Sequence, residues 1–220
     1  MLVTLVLVAW LAAVPRADRQ PLPPGLISLE SLEGQALLAQ AEGGADYAAL
    51  ARHFQPQWLT SYCGVASSVA VLGALGTDIT QQGFFTPEAQ EVRPRWRVAT
   101  AGMALAELGG LLDAHGARVG LHHADGFDVA AFRRAVARNL SQPGNYLIVN
   151  YDRKMLGQAG AGHISPIAAY DGDKDMVLVM DTAAHRYPQT WVPLGRLHAA
   201  MATRDTGADR FRGYVEVEGE

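Results

Sequence analysis

The chain changes character at Tyr146: before it the apolar residues recur at helical spacing, and after it they fall into short β-rich runs. The runs are Tyr146–Tyr151 (YLIVNY), Ile164–Tyr170 (ISPIAAY), Met176–Asp181 (MVLVMD) and Tyr214–Val217 (YVEV). Between the second and third, Asp171-Gly172-Asp173-Lys174-Asp175 has the composition of a hairpin turn. Upstream, residues 30–53 read as one or two helices broken around Gly43-Gly44. Cys63 to Leu75 reads as a helix closed by Gly76. Thr77 to Trp96, with Gly83, Pro87 and Pro94, reads as a loop. Ala101–His115 and Phe127–Asn139 read as amphipathic helices ended by Gly116 and by Ser141-Gln142-Pro143-Gly144. Helices first and strands afterwards predict an α+β fold, with a helical half packed on an antiparallel sheet and a cleft where the halves meet.

Apolar residues make up 49% of the 220 and charged residues 18%, enough for one domain with a sizeable core and incompatible with a disordered chain. The net charge of −4, with no basic block, argues against general nucleic-acid binding, because phosphate neutralisation needs clustered Lys and Arg. Met1–Val14 (MLVTLVLVAWLAAV) has the length of a signal-peptide core and falls short of the ~20 apolar residues a bilayer span needs. It predicts a signal- or anchor-like segment and a periplasmic or extracytoplasmic location. Pro15, Pro21, Pro23 and Pro24 mark the stretch up to Gly25 as a linker, so residues 1–25 stand apart and a single domain is expected over 26–220.

Cys63 is the only cysteine. That excludes an internal disulfide, a CxxC pair and a multi-Cys zinc site, and leaves core filling or nucleophile. At a helix start the unpaired N–H groups and the macrodipole favour the thiolate. Gly64 would let the backbone turn tightly beside it. Of the seven histidines, His163 stands out, in Gly160-Ala161-Gly162-His163-Ile164-Ser165-Pro166, where a glycine loop enters a strand. Asp181 ends the next strand candidate. Paired in a hairpin, the two become neighbours, and Asp181 can fix the imidazole tautomer. In that role its removal should cost rate with little stability. Gln57, six positions before Cys63, could set a side-chain N–H beside the Cys63 backbone N–H as an oxyanion hole. Taken singly, each of these residues also has an ordinary reading: a small core cysteine, a satisfied histidine, a strand-end aspartate, a solvated glutamine.

Two blocks narrow the choice. The first is Gln57-Trp58-Leu59-Thr60-Ser61-Tyr62-Cys63-Gly64-Val65-Ala66-Ser67-Ser68; the second runs from Asn150 to Leu194 and holds Gly162-His163-Ile164-Ser165-Pro166, Met180-Asp181, Arg186-Tyr187-Pro188 and Trp191-Val192. Together they resemble phytochelatin synthases, the glutathione γ-glutamylcysteinyltransferases, over roughly residues 45 to 217. The resemblance implies a papain-like cysteine-peptidase fold. It implies Cys63 as nucleophile, His163 as base, Asp181 as orienter and Gln57 as oxyanion donor, with Asn150, Gly162 and Arg212 lining a γ-Glu-Cys pocket.

It also implies glutathione and its metal thiolates as partners, a homodimer as one assembly, no cofactor, and Cd or Zn entering only as glutathione thiolate complexes. Membrane contact is expected only through the N-terminal segment. Plant members add a Cys-rich C-terminal region that this sequence does not contain. The resemblance is to the short bacterial type, whose activity resembles glutathione hydrolysis, so γ-Glu-Cys and glycine are the expected main products. Two other readings stand beside it. Bacteriocin-exporter-type peptidases share a similar Gln-x5-Cys-Gly-x-Ala block but not Arg186-Tyr187-Pro188. A non-catalytic papain-like binding module would not be expected to keep Cys63, His163 and Asp181 together.

Overall fold

A computed structural model describes residues 14–219. The apolar run expected to be a signal or anchor therefore lies outside the described residues, apart from Val14. Among the described residues no helix is long and apolar enough to cross a membrane.

The strands are β1 (Ile27–Ser28), β2 (Arg118–His123), β3 (Asn145–Asp152), β4 (Gly162–Asp171), β5 (Met176–Val179), β6 (Thr190–Pro193), β7 (Arg204–Asp205), β8 (Arg210–Phe211) and β9 (Gly213–Glu218). Seven of them form one sheet in the order β1-β6-β5-β4-β3-β9-β2, and β7 and β8 form a separate ribbon. Every pairing is antiparallel. The helices are α1 (Leu32–Gln40), α2 (Tyr47–His53), α3 (Cys63–Ala74), α4 (Pro87–Val92), α5 (Arg95–Ala101), α6 (Leu105–Asp113), α7 (Val129–Leu140) and α8 (Leu194–Met201).

Helices cover both faces of the sheet. Along β3, Tyr146 and Ile148 enter a core shared with α3 and α6, whereas Leu147, Val149 and Tyr151 enter a second core shared with α7 and α8. A strand buried on both sides is apolar at nearly every position, so YLIVNY reads as a continuous run, interrupted only by Asn150, instead of an alternation. Each fully buried aliphatic side chain contributes about 1.5–3 kcal/mol. Trp191, wholly buried, satisfies its indole N–H on the Gly34 carbonyl at 2.9 Å.

The hairpin at residues 171–175 forms, with Asp171 opposite Met176. Several local expectations change. The 77–96 stretch, read as a loop, contains α4 and the start of α5. Thr86 accepts from the Ala89 N–H and Pro87 occupies the first turn, a helix-start signal that the flanking prolines obscure. The helix expected over 101–115 is shorter, because Gly102 (φ +67°) breaks the chain between α5 and α6. Strands β2 and β6 and helix α8 were not anticipated. β2 (RVGLHH) is an edge strand with a central glycine and no clean alternation. β5 ends at Val179, so Asp181 lies beyond the strand, where the Met180 N–H still donates to Pro166 O at 2.9 Å.

Candidate active site

Helix α3 is apolar apart from Ser67 and Ser68 and is buried from Gly64 to Gly73, which makes it a central helix with no solvent face over that span. Its first residue is Cys63. The preceding residue, Tyr62, offers no side-chain cap, in contrast to Ser31, Thr86 and Asp128 at the starts of α1, α4 and α7. The first N–H groups of α3 therefore lack a side-chain acceptor at the point where the thiol emerges. Gly64 also makes room inside the fold. A Cβ there would lie 2.4 Å from Met103 Sδ, so the glycine makes room for a methionine.

Strand β4 approaches the helix start, and Ser67 couples the two: its hydroxyl lies 2.8 Å from Cys63 O and 3.1 Å from Ile164 O. His163 is thereby held beside Cys63, at the same cleft and close enough to shift the thiol's titration. The imidazole is buried, edge-on to Tyr151 with ring centroids 5.7 Å apart, and its Nε2 lies 3.0 Å from Asp181 Oδ1. That contact is within ion-pair range, but the ring N–H points off the line to the oxygen, and Nε2 makes no formed hydrogen bond. Such contacts tighten when substrate fills a site. The structure thus brings Cys63, His163 and Asp181 together.

It adds a fourth member that sequence reasoning missed. Arg153, just past β3, donates to Asp181 Oδ1 at 2.7 Å and to Gln158 Oε1 at 2.9 Å, and the Arg153 and Asp181 side chains are only 4% and 2% exposed. The Ala183 N–H also donates to Oδ1, at 2.9 Å. Asp181 is therefore half of a buried ion pair as well as a neighbour of the His163 imidazole. No spacing in the sequence marks Arg153, because the pairing crosses 28 residues and depends on β3 and β5 flanking β4.

The electrostatics favour a thiolate–imidazolium pair. Burial pushes the Cys63 thiol up, but the His163 hydrogen bond and charge, the Ile164 backbone contact and the Arg153 charge outweigh it and hold the thiol below its ordinary value. Burial and Arg153 push His163 down, while Asp181 and Cys63 push it further up, so its net shift is upward. Burial alone would raise Asp181; the charges of His163 and Arg153 hold it well below the usual carboxylate range.

Gln57 is buried beside this group, with its backbone N–H on Thr182 O at 2.9 Å. Its Nε2 donates to Leu59 O and Thr60 O, both at 2.9 Å. Both amide hydrogens are thus engaged, and the expected oxyanion role requires Gln57 to release one. The Cys63 N–H, at the first helical position, needs no such release.

A cleft of about 650 Å³ opens on Cys63 and His163. Asn150, Gly162 and Arg212 all line it, as does Asp205, which sequence reasoning missed. Gly162 is needed there because a Cβ would come within 2.9 Å of an Arg212 guanidinium nitrogen. Arg212 is 7% exposed, is held by Thr203 Oγ1 and Arg204 O, and keeps Nε buried without a partner. A second cavity of about 130 Å³ adjoins the first at His163 and is walled by Gln57, Arg153, Gly160, His185 and Arg186. Arg186 Nε is likewise buried and unpartnered. Among the described residues no group of three or more His, Cys, Asp or Glu side chains could hold a metal ion.

A family model described as phytochelatin synthase matches residues 17–214. A wheat protein named glutathione gamma-glutamylcysteinyltransferase 1 is 34% identical over 90% of this chain and 41% of its own length. The Arabidopsis thaliana glutathione gamma-glutamylcysteinyltransferase 2 is 31% identical over 90% of this chain and 46% of its own length. The Schizosaccharomyces pombe glutathione gamma-glutamylcysteinyltransferase is 25% identical over 91% of this chain and 50% of its own length. The chain thus spans half or less of the length of these curated relatives.

Proposed function

The chain belongs to the phytochelatin synthase family, and we propose that it acts as a thiol acyl enzyme on glutathione. The supporting observation is the seating of a Cys63–His163 pair at the head of a cleft that holds both an aspartate and a buried, partly unsatisfied arginine. A γ-glutamyl group ends in an α-amine and an α-carboxylate; Asp205 and Arg212 are of the right charge for each, and Asn150 adds a neutral donor and acceptor. A nucleophile at a helix start facing a histidine on a sheet is also the papain-like arrangement.

Cys63 Sγ attacks the carbonyl carbon of the Cys–Gly peptide bond. The oxyanion faces the Cys63 N–H, and His163 gives its proton to the departing glycine nitrogen. A γ-Glu-Cys thioester remains on Cys63. Water or the amine of a second glutathione then attacks it, His163 takes the proton, and the thiolate leaves. The small cavity, with Arg153 and Arg186 in its wall, suits the glycine carboxylate and afterwards the incoming acceptor. Cadmium or zinc enters as the glutathione thiolate, a substrate form. The Met1–Val14 run supports an extracytoplasmic setting.

Two measurements test this reading. Glutathione incubated with the enzyme should yield glycine and γ-Glu-Cys as main products, with (γ-Glu-Cys)₂-Gly increasing when Cd²⁺ and excess glutathione are supplied. An α-linked Glu-Cys-Gly should be cleaved at least ~100-fold more slowly, because it leaves the cleft's charged groups unpaired. Equal rates on the two linkages would favour a general peptidase. Arg212→Ala should raise KM with kcat little changed, since the carboxylate contact is made in ground and transition states alike. Gln57→Ala should do the reverse, lowering kcat about 100-fold at near-constant KM if its amide turns to the oxyanion. Unchanged kcat would leave the Cys63 N–H as the sufficient donor.

A further inference from the structure

The segment from Arg16 to Gly25, read from its prolines as a linker, is held against the domain. The Asp18 N–H donates to His185 O at 3.1 Å and the Gln20 N–H donates to Arg186 O at 3.0 Å. Those two carbonyls belong to the residues whose side chains wall the small cavity. The strap is itself braced. Gln20 Nε2 donates to Asp18 Oδ1 at 2.8 Å, Leu22 packs on the second core, and Pro24 O accepts from Arg196 at 2.8 Å. The prolines at 21, 23 and 24 fix φ and lower the entropy lost on docking.

The 183–187 turn is therefore fastened on two sides. Inside, the Ala183 N–H binds Asp181, the Arg186 and Tyr187 N–H groups bind Ala183 O, and Tyr187 Oη accepts from the Ala159 N–H. Outside, the strap supplies the two remaining bonds. Arg186 needs that outer fastening. Arg186 Nη1 and Arg153 Cδ both pack at Gly160, lying 3.4 Å and 3.2 Å from where a Cβ on it would sit. Arg153 has Asp181 as counter-charge, but Arg186 Nε has no partner. Two like charges in the wall of one small cavity repel, and a free Arg186 would relax toward water.

We propose that the strap Asp18–Gln20 is a positioning element of the reaction, which holds Arg186 in the small cavity so that it can take the substrate's terminal carboxylate. The proposal rests on the reading above, in which that cavity receives the glycine end of glutathione. The strap touches neither substrate nor thiol; it acts through the backbone of residues 185 and 186.

Proline at position 18 or 20 deletes a strap N–H, while alanine keeps it. The full chain with Asp18→Pro and Gln20→Pro together, and the paired alanine control, are each assayed on glutathione and on its C-terminal amide, γ-Glu-Cys-Gly-NH₂. The wild type and the alanine control should prefer glutathione. The proline variant should lose about 10-fold in kcat/KM on glutathione, as for one lost hydrogen bond to a charged group, and stay within about twofold on the amide. Its rate on the amide also reports that the protein is folded. A proline variant that keeps the preference, or that loses rate equally on both substrates, overturns the proposal. A wild type without any preference removes the carboxylate reading of the cavity, and the proposal with it.

Discussion

Cys63→Ser is expected to abolish turnover, by about 10⁴-fold or more, while the protein folds as before. The site favours a thiolate: the His163 hydrogen bond and charge hold Cys63 below its ordinary value, and Asp181 and Cys63 hold His163 above its own, so both shifts act toward the ion pair. A serine hydroxyl does not ionise beside an imidazole in this way, so attack would require proton transfer within the same step. The same pair sets the pH profile. A thiol pKa lowered and an imidazole pKa raised widen the range in which thiolate and imidazolium coexist. The rate should fall on the acid side as the thiolate is protonated and on the basic side as the imidazolium loses its proton, with both limbs belonging to the coupled pair. Rapid quench of the wild type with glutathione should trap γ-Glu-Cys on Cys63, visible by intact mass. An active serine variant, or no adduct under any quench, would refute the covalent mechanism.

Asp181→Asn should be damaged twice. The rate should fall by about 10⁴-fold, as when an amide in the orienter's place favours the wrong imidazole tautomer. Stability should also fall, contrary to the tautomer-only role suggested by sequence. The substitution leaves Arg153 buried without its counter-charge, at a cost of about 3–5 kcal/mol, or roughly 10 °C in Tm for a domain of this size. Asp181 has a folded-state pKa below its unfolded value, so its stabilisation is present above the unfolded pKa near ~4 and is lost as pH falls through the folded value. The wild type should therefore lose this contribution only in strong acid, and the variant should lack that part of the acid transition. Adding Arg153→Met to Asp181→Asn should recover much of the Tm without recovering turnover. If Asp181→Asn melts like the wild type, the buried pair does not carry the stability assigned to it.

The α+β class, the β4–β5 hairpin and the placement of Cys63 at a helix start are legible in the chain because each rests on local rules. A turn composition between two apolar runs makes His163 and Asp181 neighbours with no knowledge of anything else. Helical spacing closed by a glycine locates α3 in the same way. Where local signals were weak, the reading failed: β2 has no clean alternation, and α4 hides between prolines. The chemistry of the site also depended on partners that no local rule selects. Arg153 meets Asp181 only because three strands lie side by side. Gln57 spends its amide on Leu59 and Thr60, and Gly64 makes room for Met103. Asp205 and Arg212 face one cleft only because β9 lies beside β3 in the sheet, which brings Arg212 and the β7–β8 ribbon before it up to Gly162 at the start of β4. Residues 18–20 looked like a tether and are a strap, because the carbonyls of His185 and Arg186 were left without other acceptor bonds. Periodicity and turn chemistry specify what a segment becomes; long-range packing decides which buried charge or backbone group it must satisfy.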